Sequence, residues 1–171
     1  MAYLNRHKHK RIKPIYNYHP TKLFELMQIV DDRIKKEGCG CDLNDIDVSK
    51  ITDMSFLFAN SRFNGDISNW DVSNVKDMNS MFKNSYFNGN IQYWDVSKVY
   101  DMRSMFEYSD FNGDISGWDV SNVENMSRMF ADSEFDQNID KWNVSARAKD
   151  CIDIFKGTQM EYNLPKWCVW G

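Results

Sequence analysis

Apolar positions recur along this chain at a fixed interval. Trp70, Trp94, Trp118 and Trp142 stand 24 residues apart, and the tripeptide after each reads Asp-Val-Ser or, after the last, Asn-Val-Ser. Phe63, Phe87, Phe111 and Phe135 open the units, and Ile67, Ile91, Ile115 and Ile139 follow four residues later. Val72, Val96 and Val120 come after the tryptophans, then Val75, Val99 and Val123, then Met78, Met102 and Met126 leading into Phe82, Phe106 and Phe130. Another unit precedes the first tryptophan, with Ile46 in the tryptophan column and Phe58 in the second phenylalanine column. A last one runs from Ile154-Phe155 through Leu164 to Trp167, set back by one inserted residue. A period in this range predicts a stack of like units that bury their apolar faces on one another.

Within a unit, Asp66 to Val72 carries β-branched and aromatic residues after an Asn64-Gly65 turn signal, which predicts a short strand. Ser73 then stands where a helix N-cap would, and Val75, Met78, Met81 and Phe82 give a spacing that suits a helical turn. The expected fold is therefore an α/β solenoid, a leucine-rich-repeat-like stack of five coils with one short parallel strand and one helical turn each. Ahead of it, Leu23, Leu26, Met27, Val30 and Ile34 give residues 21–37 one apolar helical face, with Lys35 and Lys36 near the carboxyl end and Gly38 as the stop. This helix is expected to cap the first coil. The organisation read from the chain is a basic arm at 1–20, a capping segment at 21–41, repeats at 42–167 and closing residues at 168–171.

Charge alters this picture at one end. Arg6, Lys8, Lys10, Arg11 and Lys13 lie in the first 20 residues with no acid, leaving 16 basic against 25 acidic residues for the rest. A basic arm on an acidic body allows a nucleic-acid-associated reading through those five cations, although the body itself would repel phosphates. No apolar run is long enough to span a membrane and the amino terminus lacks a secretory pattern, so a cytoplasmic setting is expected. Cys39 and Cys41 form a C-x-C, while Cys151 and Cys168 fall in the last unit. Stacked coils advance about 4.8 Å each, which would separate the two pairs by roughly 20 Å. They cannot share a metal, and free thiols are expected.

The pattern Phe-Asn-Gly-Asp-Ile-Ser-x-Trp-Asp-Val-Ser-Asn-Val-x-Asp-Met-x-x-Met-Phe resembles the BspA-like leucine-rich repeat of bacterial surface and mycoplasma lipoprotein-associated proteins. Asp42 to Phe58 is similar to a first repeat of that family, and the likeness covers residues 42–167. The resemblance implies a right-handed solenoid that binds proteins, with surface adhesion as the best-known role and cell-surface display as the alternative location. The chain departs from the family in showing no signal peptide, lipobox or wall anchor. Short repeat proteins of this kind also resemble ones carried by phages and mobile elements, which brings host interaction and intracellular targets into the reading.

Chemistry narrows the function further. His7, His9 and His19 all precede the helix, so no repeat offers a histidine for a nucleophile pair or a metal. The repeated aspartates Asp71, Asp95 and Asp119 stand in like surroundings, whereas acid–base catalysis needs unlike ones. No enzyme, cofactor or metal is expected. The column Asp66, Asn90, Asp114 and Asn138 could in principle hold calcium, but such residues more commonly hydrogen-bond turns. Specificity must come from columns that differ between units. One reads Asn69, Tyr93, Gly117, Lys141, and Tyr86, Tyr100 and Tyr108 also fall at variable positions. Tyrosine is enriched in binding hot spots. The candidate binding residues are Tyr86, Tyr93, Tyr100, Tyr108, Asn69 and Lys141, in a non-enzymatic module whose partner is another protein.

Overall fold

The computed structural model describes residues 15–145, 148 and 153–168. Among them lie one α-helix, α1 (Leu23–Glu37), and one short 3-10 helix, Gln159–Tyr162. The expected α/β solenoid of strand-plus-helix coils is not formed. The described residues contain no extended strand; pairing is confined to isolated parallel bridges, Tyr18 with Ile46, Asp42 with Asp66 and the series Asp53, Asp77, Asp101, Asn125. The leucine-rich-repeat description falls with it. What the repeat builds instead is a pile of layers whose outlines are made of tight turns: 39–62, 63–86, 87–110, 111–134 and a longer fifth from 135.

Each of the first four layers turns three corners, and each corner has the same local cause. An aspartate or asparagine is followed by an apolar residue, two variable residues and a second apolar residue. Its side-chain oxygen accepts the backbone N–H two residues on. Asp66, Asp71 and Asp77 take the N–H groups of Ser68, Ser73 and Asn79 at 2.8–3.1 Å. The first apolar carbonyl then accepts the N–H of the second, Ile67 from Trp70, Val72 from Val75 and Met78 from Met81. Such side-chain capture competes with both helix and sheet. The segment read as a strand is therefore two abutting corners, and Ser73 is the closing residue of a turn. The expected helical turn after it is broken as well, because Ser80 and Asn84 adopt φ values of 55° and 51°. The left-handed region is costly for such residues, and a regular helix cannot pass through it.

Layers are joined mainly at the third corner. The N–H groups of Met78, Ser80, Phe82 and Asn84 donate to the carbonyls of Asp101, Arg103, Met105 and Glu107 in the next layer. The intervening Met81 and Lys83 bond within their own turn. Asn64, Asn88 and Asn112 add a side-chain ladder, their oxygens accepting the N–H groups of Asn88, Asn112 and Asp136. The glycine after Asn88 has a different cause: a Cβ on Gly89 would stand 2.7 Å from Phe87 Cε2.

Aromatic columns fill the interior. Phe58, Phe82, Phe106, Phe130 and Phe155 stack with ring centroids 5.5–5.7 Å apart. Phe63, Phe87, Phe111 and Phe135 form a second pile at 6.1–6.3 Å. All are buried, and each such side chain contributes about 1.5–3 kcal/mol by leaving water. The tryptophans are 4% exposed, and their Nε1 groups donate to the layer before: Trp70 to the Leu43 carbonyl, Trp118 to Ile91 and Trp142 to Ile115. Trp167 donates to Ile139, so the register survives the inserted residue.

Helix α1 closes the first layer. Leu26 and Val30 are buried and Leu23, Met27, Ile29 and Ile34 pack beside them. Arg33 reaches from the helix to Asp45 at 2.8 Å and to the Asp42 carbonyl at 2.9 Å, with its guanidinium over the Tyr18 ring. Tyr18 bridges to Ile46, so a short segment before the helix shares the closure.

Candidate binding surface

With the corners internally bonded, the residues that vary between layers are left to face water. Tyr86, Tyr93, Tyr100 and Tyr108 are 57, 84, 47 and 51% exposed. Three have anchored backbones: Tyr86 donates to the Ser61 carbonyl, Tyr100 to Lys76 and Tyr108 to Ala131. These side chains are large apolar bodies with a polar tip, standing on backbone that the stack already fixes. Little ordering remains to be done when a partner contacts them.

The four do not share a face of a sheet, since none is formed. Tyr93 stands in the first corner of its layer, and Tyr100 lies just before the third. Tyr108 sits at the end of the third corner above Asn84, and Tyr86 falls two columns beyond, one layer below. Asn69 and Lys141 are exposed in the Tyr93 column, and the Asn69 N–H is held by Asn44 Oδ1. Arg6, Lys8, Lys10, Arg11, Lys13, His7 and His9 lie outside the described residues, as does Cys151. Cys39 and Cys41 carry free thiols, and burial pushes the Cys41 thiol above its ordinary range.

One column that varies in sequence has a structural use. Lys83, Glu107 and Ala131 occupy it, yet Glu107 is 3% exposed. Its carboxylate meets Lys83 Nζ at 2.8 Å in the layer below and Arg128 Nη2 at 2.6 Å in the layer above. Burial alone would raise this carboxyl; hydrogen bonds from Lys83 and Arg128 outweigh it and hold it below the usual range. Opposite charges 24 residues apart are the sequence signal that points to this pairing. The column Asp53, Asp77, Asp101 has the reverse character. Burial, with Asp101 and Asp53 as neighbours, pushes the Asp77 carboxyl up.

The column weighed for calcium is occupied by turns. Asp66, Asn90, Asp114 and Asn138 each hold the backbone N–H two residues on. Among the described residues no group of three or more His, Cys, Asp or Glu is placed to hold a metal, and no helix is long and apolar enough to cross a membrane. Sequence reading also passed over the exposed Ile15, Phe24 and Tyr162, and Phe56 in the column of Ser80, Ser104 and Arg128.

The architecture and surface define a layered repeat protein with a fixed interior and a variable aromatic exterior. Residues 25–110 and 84–167 each match the family described as Mycoplasma protein of unknown function, DUF285, and the chain belongs to that family. No curated protein and no solved structure matches it.

Proposed function

We propose that this chain is a non-catalytic protein-binding module that recognises its partner through the side chains varying between layers, with the tyrosines as principal contacts. The observation that carries this reading is the set of four exposed tyrosines, three of them in one layer and three, Tyr86, Tyr100 and Tyr108, with backbone N–H groups bonded to neighbouring layers. Nothing in the packing calls for an aromatic at those positions: Asn69 and Gly117 replace Tyr93, Lys76 replaces Tyr100 and Asn84 replaces Tyr108 in neighbouring layers. Rigid, amphipathic rings are efficient interface anchors, and the resemblance to BspA-like repeats adds weight to protein binding over catalysis.

Affinity capture from the native host, followed by titration of the captured partner, tests the reading. Replacing Tyr86, Tyr93 and Tyr108 singly by serine should leave stability unchanged and weaken partner binding at one or more of them by about 1–3 kcal/mol. Binding that tolerates all three changes, but collapses with salt and with deletion of residues 1–14, would transfer recognition to the basic arm.

A further inference from the structure

Gly117 differs from the other repeat glycines. A Cβ at Gly89 or Gly113 would collide with Phe87 or Phe111, whereas at Gly117 it would meet nothing within 4 Å, and its φ lies outside the left-handed range. The fold therefore gives no reason for glycine here, and Asn69, Tyr93 and Lys141 fill the same column in other layers. Beside it lies an open notch of about 380 Å³ lined by Gln92, Tyr93, Trp94, Asp114, Ser116 and Gly117.

The walls are chemically distinct. On one side stands the Tyr93 ring, 84% exposed. Asp114 is exposed and its Oδ1 accepts the Ser116 N–H, and Gln92 lines the notch beside it. An aromatic face, a carboxylate oxygen and a carboxamide around a bare floor suit a flat cation that stacks and donates at once. Charge favours the same occupant. The first two corners of the middle layers carry Asp66, Asp71, Asp95, Asp114 and Asp119 against Lys98 alone, which is itself bonded to Asn74 Oδ1. Lys141 holds the Gly117 column one layer above and is not among the lining residues.

Resting on the protein-binding reading, we infer that this notch receives an arginine side chain from a basic segment of the partner, its guanidinium stacked on Tyr93 and donating to Asp114 and Gln92. Arginine is favoured over lysine because only a planar group can stack and bond in one plane.

The probe is an acetylated, amidated Gly-Arg-Gly-Arg-Gly peptide, with lysine and citrulline counterparts, titrated into the isotope-labelled full chain. Saturable shifts of the Tyr93, Ser116 and Gly117 amides are expected, with the arginine peptide bound about fivefold or more tighter than the lysine one and the citrulline peptide producing none. Asp114→Asn preserves the turn, as Asn90 and Asn138 do in that column, and should weaken binding about fivefold. Tyr93→Ala should do likewise, and Gly117→Leu should abolish it, all with unchanged melting temperature. Equal response to arginine and lysine peptides, shifts spread along all the aspartate columns, or insensitivity to Tyr93→Ala and Gly117→Leu would overturn the inference. Saturable shifts with cellobiose and none with the arginine peptide would assign the notch to a sugar and overturn it too. In any of these cases, loss of partner binding on Tyr86→Ser or Tyr108→Ser would leave the protein-binding reading standing.

Discussion

Replacing Glu107 by alanine isolates the charge cluster that crosses three layers. The carboxylate is almost fully buried and is met by Lys83 at 2.8 Å and by Arg128 Nε and Nη2 at 2.9 and 2.6 Å. Removing one member of a buried ion pair typically costs 3–5 kcal/mol because a charge is stranded. Here the stranded groups are not deeply placed: the Lys83 and Arg128 side chains are 38 and 33% exposed and can turn to water. Backbone strain adds nothing, since Ala131 occupies the same column one layer on and is fully buried. A loss of about 2–3 kcal/mol follows, below the usual range for a stranded pair. Urea unfolding followed by tryptophan fluorescence measures it. The sign with pH is fixed by the depressed carboxyl. Its stabilisation is complete above the ordinary glutamate pKa of about 4.3 and disappears as pH falls through the lower folded value. The gap between wild type and variant should therefore close on acidification. A loss under about 0.5 kcal/mol, within the range of a surface substitution, or a gap independent of pH, would refute the cluster as a structural element.

Two further outcomes bear on the stack. Trp94→Ala should cost about 3–5 kcal/mol, read by thermal and denaturant unfolding, because a buried ring that stacks on Trp70 at 6.5 Å and bonds the Ile67 carbonyl is lost; near-wild-type stability would contradict its placement. Asp77→Asn should be neutral or stabilising by about 0.5 kcal/mol at neutral pH, since it relieves stacked like charges while the amide oxygen keeps the turn, as Asn125 does for Ser127. Because the Asp77 carboxyl titrates above its unfolded value, its ionisation opposes folding at neutral pH, and the advantage of asparagine should fade as pH drops through the folded pKa.

The lateral register was legible in the sequence, because stacking apolar columns must repeat at the layer length; Phe58, Phe82 and Phe106 show it directly. Helix α1 was legible from its apolar spacing and Gly38. The outline of each layer was not. Val and Ile beside Trp favour a strand by propensity, and serine after Asp-Val favours a helix cap. Both preferences yielded to a local effect, the aspartate oxygen closing on the N–H two residues ahead. That effect is written as Asp-apolar-x-x-apolar three times per unit, as in Asp66 to Trp70, Asp71 to Val75 and Asp77 to Met81, but only a reading of turns, not of periodicity, extracts it. Glu107 shows the limit of reading columns by their variation. Lys83, Glu107 and Ala131 vary as a free surface would, while the opposite signs of Lys83 and Glu107 mark a contact.

The cluster has a consequence for how such a chain can change length. Layers that bond their neighbours through the same backbone atoms are interchangeable to that extent, and a duplication or excision of 24 codons would meet matching edges on both sides. Lys83, Glu107 and Arg128 remove that freedom from the middle of the pile. Excising residues 87–110 would set Lys83 beneath Ala131 and leave Arg128 without its carboxylate. The centre of the repeat thus carries an ordered label, one charge per layer, that fixes which unit may follow which.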